Sequence, residues 1–185
     1  MRIKSTGVTL VELITVLSIF SITMMLAAPS LGAFSVKNRI TTQVNTLARA
    51  IKMARESAVV LNKVVTLCRS SDFQHCTGKW HEGMILFIDH NKDHSINGKD
   101  SIISVFERFP EGDKIFWRAF RNRQYLQMSP LGYTRFQNGT FTYCPKEGME
   151  YTRGIILNAA GRLRFTTDED GDGIDEGADG NPLRC

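Results

Sequence analysis

Three aspartates, Asp168, Asp170 and Asp172, stand at every second position of the stretch DEDGDGIDEGAD near the end of the chain. Carboxylates in this alternation, followed by Gly173 for a sharp turn, are the donor pattern of a calcium loop, with hard oxygens at loop positions 1, 3 and 5. The pattern continues with the Ile174 carbonyl at 7, Glu176 at 9 and Asp179 at 12. It departs from the standard loop at position 8, where Asp175 replaces an apolar residue, and at 12, which is aspartate rather than glutamate. The plainer alternative is a solvated acidic tail. A second stretch, DHNKDHSINGKD, offers Asp89, Asn91, Asp93 and Asp100 at positions 1, 3, 5 and 12 but has His94 where the glycine belongs, and it reads as a loop between two strands.

Cations form the next candidate chemistry. In GRLR, Arg162 and Arg164 are two residues apart, so on a strand they face the same way, an arrangement suited to phosphate contacts. In WRAFRNRQY, Arg118, Arg121 and Arg123 alternate with Trp117, Phe120 and Tyr125, a mixture that could hold nucleic acid. The plainer role is to solvate a sheet, and the acids directly after Arg164 would compete for both arginines. The formal charge is +4, divided unevenly: Arg2 and Lys4 open the chain, while the tail from Asp168 carries seven acids and one arginine. Nothing reads as an enzyme. No serine sits in a nucleophile elbow, no phosphate loop occurs, and the histidines fall in predicted loops. A zinc site built on His75, His81 and cysteines matches no standard spacing.

The elements that must position these groups follow from periodicity. Val8 to Ala28 is an apolar run of 21 residues whose only charge is Glu12. About 20 apolar residues suffice to cross a bilayer, and a carboxylate within such a run costs roughly 2.5–3.5 kcal/mol unless it finds a partner. The run is too long for a cleaved secretory core of roughly 7–15 residues, so it is retained. Beyond Pro29, the residues Ile40, Val44, Leu47, Ile51, Ala54 and Ala58 mark one helical stripe, with Lys37, Arg39, Lys52 and Arg55 off it. One helix is therefore expected from about Val8 to Leu61. Seven short runs rich in β-branched and aromatic residues follow, at 63–68, 83–89, 100–107, 114–120, 139–144, 153–158 and 162–165, separated by turn signals. One long helix packed on an antiparallel sheet gives an α+β domain.

The junction TG-VTLVEL, cut after Gly7, resembles the processing signal of type IV pilins and of the pseudopilins of type II secretion. That resemblance implies cleavage between Gly7 and Val8 by a prepilin peptidase and methylation of the new N-terminus. It also implies that Glu12, at mature position five, pairs with a neighbouring subunit's N-terminal amine during assembly. Pro29 falls where the family has its helix-kinking proline, whereas Val8 replaces the usual phenylalanine. The implied organisation is a leader at 1–7, a transmembrane or filament-core helix at 8–29, an amphipathic helix at 30–62, a sheet domain at 63–167 and an acidic tail at 168–185. An exported, oxidising setting turns the four cysteines, Cys68, Cys76, Cys144 and Cys185, into disulfides. Of three possible pairings, Cys68–Cys76 and Cys144–Cys185 are favoured, one stapling a short loop and the other tying the last residue to a strand.

Further along, ARESAVVLNKVVTLC, KWHEGMILFIDHNKD and GIILNAAGRLRF are similar to the GspH, FimT and FimU group of minor pilins and pseudopilins. This implies a pilin-like fold and partners among other pilins, the peptidase and an inner-membrane assembly platform. The expected location is the bacterial inner membrane, through residues 8–28, before assembly and the pilus tip afterwards. The expected role is initiation of pilus assembly at the tip, serving twitching, adhesion and surface attachment. A FimT-like reading in which GRLR helps capture DNA for natural transformation comes second, and a GspH-type pseudopilin third. A single-pass periplasmic sensor or adhesin is the unrelated alternative. No cofactor is required, with calcium a candidate ligand of the tail.

Overall fold

The computed structural model of the chain describes residues 7–185, with the side chains at 26–30 and 122 outside that description. The leader therefore lies outside the described residues except for Gly7, as does the side chain of Pro29. The backbone divides into two compact units, one ending at Arg39 and the other spanning Ile40–Cys185.

Helix α1 runs Leu10–Leu61. It starts at Leu10 rather than Val8 because Thr9 caps it: the Thr9 hydroxyl accepts the Glu12 N–H at 3.3 Å, and the Thr9 carbonyl takes the Leu13 N–H at 3.1 Å. The sequence T-L-V-E has the Thr-x-x-Glu spacing of a capping box, with an acid in the first turn favoured by the helix dipole. At the other end Asn62 adopts φ 52°, and the N–H groups of Asn62 and Lys63 return to the Val59 and Ala58 carbonyls. This pair of bonds is a Schellman stop, with asparagine tolerated in the left-handed position.

Within the second unit the expected stripe is the covered face. Ile40, Val44, Leu47, Ile51, Ala54 and Ala58 are all buried, joined by Ala48 and Ala50, while Lys52 and Arg55 stay exposed. The strands form two antiparallel sheets rather than one. The first has the order β3-β2-β1-β5, from β1 (Val65–Arg69), β2 (Met84–Ile88), β3 (Ser101–Phe106) and β5 (Tyr125–Met128). The second has the order β4-β6-β7-β8, from β4 (Lys114–Ala119), β6 (Gly139–Cys144), β7 (Arg153–Leu157) and β8 (Leu163–Phe165). Alternation marks which residues form strands but not which strands pair, so the split was invisible in the sequence. Strand β5 was also unexpected. YLQM contains no β-branched residue, and its pairing with β1 is fixed by Leu126 and Met128, both fully buried.

In the second sheet cross-strand register separates the faces. One carries Trp117, Phe141 and Ile155 in a row. Trp117 stacks on Phe141 at 3.9 Å between ring centres, and Trp80 meets the same ring edge-on at 5.1 Å. The opposite face carries the row Arg118, Thr140, Ile156, Arg164.

The middle of that face, around Gly154 and Ile156, is covered by the C-terminal segment, which is a folded strap, while Arg118 and Arg164 at its edges stay exposed. Leu183 is 4% exposed, a burial contributing roughly 1.5–3 kcal/mol. The Thr166 hydroxyl accepts the Gly154 N–H at 2.7 Å and donates to the Asp175 carboxylate at 2.6 Å, and the Leu183 N–H reaches the Asp175 carbonyl at 2.9 Å. Gly154 is what lets the strap approach, since a Cβ there would lie 2.8 Å from Thr166 Cγ2 and 3.1 Å from Leu183 Cδ1.

Candidate functional site

The first unit presents an unusual surface. Every large apolar side chain described between Val8 and Met25 is more than half exposed, from 52% at Met24 to 80% at Met25. The polar residues in the run are satisfied by their own helix. Thr15, Ser18, Ser21 and Thr23 each donate their hydroxyl to a carbonyl three or four residues earlier, at 2.8–3.1 Å. Such hydroxyls ask nothing of their surroundings, which suits a helix covered by apolar material on all sides. Glu12 is exposed in the first turn and is the one charge in the run. Among the described residues no helix is long and apolar enough to cross a membrane, and residues 26–28 of the apolar run have side chains outside that description.

The five candidate arginines do not gather into one patch. Arg118 on β4 and Arg164 on β8 face the same way, but they sit at opposite edges of the sheet. Three strand spacings separate them, about 14 Å. Arg118 is committed to the strap: its Nη2 donates to the Arg184 carbonyl at 3.0 Å. Arg123 donates to the Arg135 carbonyl at 2.8 Å, and Arg121 lies over the Phe120 ring at 5.5 Å. Arg162 and Arg164 are both exposed, and Arg162 lines a groove with Lys52 and Arg55 of α1, two cations that sequence spacing could not have brought to it.

Gly161, the first residue of GRLR, has a local task. It sits at φ 71° in the β7–β8 turn, and a side chain there would collide with the Gly132 carbonyl, which also accepts Arg55 Nε at 3.1 Å. The turn is closed by the Arg162 N–H on the Asn158 side chain and the Asn158 N–H on the Arg162 carbonyl, both at 3.0 Å. Packing therefore accounts for the glycine without reference to a ligand.

The acidic residues divide. One carboxylate oxygen from each of Asp168, Asp170, Asp172 and Glu176 lies within 4.8 Å of the others. Asp179, the expected position-12 donor, is not among them. It holds the Asn181 side chain at 2.8 Å, and that amide, ahead of Arg118, keeps its carboxyl below the ordinary carboxylate range. Asp175 turns away from the group toward the sheet, where the Thr166 hydroxyl donates to it and Arg153 Nη1 of β7 lies 3.7 Å from it, which explains an acid at an apolar loop position. Ile174 gives its N–H to Asp172 at 2.8 Å. In the other stretch, oxygens of Asp89, Asp93 and Asp100 converge in the same way.

The chain forms the disulfides Cys68–Cys76 and Cys144–Cys185. The first bounds a loop organised by Asp72, which accepts the N–H groups of Gln74 and His75 and the His75 ring at 2.7–2.9 Å. Those bonds, the imidazole first, hold the Asp72 carboxyl well below the usual carboxylate range. His81 is pushed down by partial burial and accepts the Ile115 N–H at 3.4 Å. The second disulfide fastens the strap.

A long N-terminal helix followed by antiparallel sheets defines a pilin-like α+β protein. The family model described as Type II transport protein GspH matches residues 43–161, more than half of the chain. The chain belongs to the GspH family, whose members are structural subunits rather than enzymes and work among other pilin-type subunits of a pilus or pseudopilus. Among solved structures it is similar to the type IV minor pilin FimU of Pseudomonas aeruginosa strain PAO1, at 16% identity and a TM-score of 0.57, over 72% of this chain and 92% of that one. A second crystal form of FimU gives 14% identity and a TM-score of 0.47 over 72% and 91%. At this identity the likeness speaks for the fold alone. No curated protein matches the chain. The family match includes neither Glu12 nor the strap.

Proposed function

We propose that this protein is a minor type IV pilin that joins the tip complex and helps initiate pilus assembly. One observation carries the reading: an α-helix with apolar side chains exposed all round, hydroxyls satisfied internally, and a single carboxylate in its first turn. Residues 8–28 would lie in the bacterial inner membrane before assembly and among neighbouring subunits afterwards. A prepilin peptidase cutting after Gly7 would leave Val8 as a methylated N-terminus. A neighbour's N-terminal amine would then offset the cost of holding Glu12 in an apolar setting. The test has two readouts in the source cell. The mature chain should lack residues 1–7 and carry one methyl group by intact mass, and Glu12→Ala should reduce surface filaments at least tenfold while the membrane still holds processed subunit. A chain of full mass would favour a single-pass sensor or adhesin, and normal filaments from the Glu12→Ala strain would remove the proposed role of the carboxylate.

A second reading, DNA capture for natural transformation, is favoured by exposed Arg162 and Arg164 and by the nearness of Lys52 and Arg55 to Arg162. Weighing against it are the separation of the two arginine groups and the acidic strap lying between them. DNA binding by the full chain in detergent would have to fall steeply with salt and collapse in the Arg162→Ala, Arg164→Ala variant. Membership in a type II secretion pseudopilus rests on the name of the family model alone.

A further inference from the structure

We infer that residues 168–176 bind a calcium ion and that this ion pins the strap to the sheet domain. The donors are Asp168, Asp170, Asp172 and Glu176, whose oxygens converge within 4.8 Å. Oxygens around one calcium, at about 2.3–2.6 Å from the ion, lie no more than about 5 Å apart, so the spread fits a single coordination sphere. The contacts the structure gives these carboxylates are mainly backbone amides. Gly171 and Gly173 donate to Asp168 at 2.7 and 2.9 Å, Asp172 to Asp170 at 3.1 Å, Ile174 to Asp172 at 2.8 Å and Glu169 to Glu176 at 2.6 Å.

Acidic convergence alone would be a solvated surface. Glu176 makes it more than that. It is 7% exposed, and its Oε1 is buried with no hydrogen-bond partner. An unpaired carboxylate oxygen taken out of water is strongly disfavoured, and a divalent cation held with three further carboxylates removes that penalty. Asp175 and Glu176 tie the loop to the fold: Asp175 is held by Thr166, and the Glu176 N–H donates to the Thr167 carbonyl at 3.1 Å. Binding therefore couples to the order of the strap. Magnesium fits less well, because it wants near-ideal octahedral geometry at about 2.0–2.1 Å and keeps several waters.

An independent observation carries a second calcium site in the β2–β3 loop. Asp89 is 1% exposed, and while its Oδ2 accepts Thr66, Gln127 and the His94 N–H, its Oδ1 is buried without a partner. Oxygens of Asp93 and Asp100 share its neighbourhood. His94, the residue in the glycine position, adopts φ 67°, so the backbone makes the calcium-loop turn despite the side chain. Ile96, at loop position 8, packs against Cys68, Ile85 and Phe87, the apolar anchor that the tail loop lacks.

Calorimetric titration of the chelator-treated full chain in detergent tests both sites. Two saturable calcium sites are expected, with Kd of roughly 10⁻⁴–10⁻³ M, the range of extracellular modules. Equimolar magnesium should leave them in place. Asp170→Asn and the isosteric Glu176→Gln should each weaken one site at least tenfold, and Asp93→Asn the other. Unchanged tryptophan fluorescence without calcium checks that the variants are folded. Calcium should also slow proteolysis of residues 175–185 in the wild type but not in Glu176→Gln. No saturable heat up to about 10 mM calcium, far above that range, overturns both sites. Full affinity in Asp170→Asn and Glu176→Gln overturns the tail site, and full affinity in Asp93→Asn overturns the loop site.

Discussion

The two halves of α1 are drawn from similar apolar residues and end in opposite conditions. From Ile40 onward the apolar residues fall on one stripe, and the stripe is buried. From Val8 to Met25 they point in every direction, and all of them are exposed. Angular distribution makes the difference. A stripe can be covered by one's own sheet domain, whereas a helix that is apolar all round needs surroundings on every side. The first half therefore carries apolar surface that its own unit leaves uncovered, and the buried core of the described residues lies in the second.

Substitution within the two halves is the strongest way to break this comparison. Leu47→Ala, at a site with no exposure, should lower the unfolding free energy by about 2–5 kcal/mol. Leu17→Ala, at a site 54% exposed, should change it by no more than about 0.5 kcal/mol. Fluorescence of Trp80 and Trp117, both buried in the second unit, reports the transition. Equal losses would mean that the first half packs within its own chain. A comparable effect is expected from removing the Cys144–Cys185 bridge with paired serine substitutions, about 2–5 kcal/mol in the same transition, with the strap becoming the first site of proteolysis. An untouched transition would show that strap hydrogen bonds suffice.

The smallest effect is one of pH. Asp72 has its carboxyl depressed below 3.8 in the folded chain, chiefly by the His75 ring. The stability it adds is thus fully present above about pH 4 and is lost as pH falls through the lower folded value. Asp72→Asn should flatten that part of the acid-unfolding curve for the tryptophans while leaving the helical signal of residues 10–25 unchanged. A curve identical to wild type would mean that the loop between Cys68 and Cys76 contributes nothing to the core.

Much of this was legible in the residues, and the omissions share a cause. The helical stripe and seven strands rest on local period and composition, which survive folding, and the favoured cysteine pairs are the ones formed. The missing strand, Tyr125–Met128, owes its existence to β1 rather than to its own side chains, and the division into two sheets is a matter of long-range pairing. Asp179 was misplaced because loop numbering cannot see that Asn181 claims it. The helix start could have been read: T-L-V-E is a capping signal in plain view. The cover over the middle of the face between Arg118 and Arg164 could not. It depends on Gly154 admitting Leu183 across the sheet.

The self-satisfied hydroxyls of Thr15, Ser18, Ser21 and Thr23 have a consequence for how the run meets a neighbour. With those groups spoken for, the run meets its surroundings through apolar side chains and a single charge, Glu12. Apolar ridges interdigitate, so neighbours of such a run would settle by shape and dispersion along its length, and the one interaction between them that carries a sign would be made at the height of Glu12.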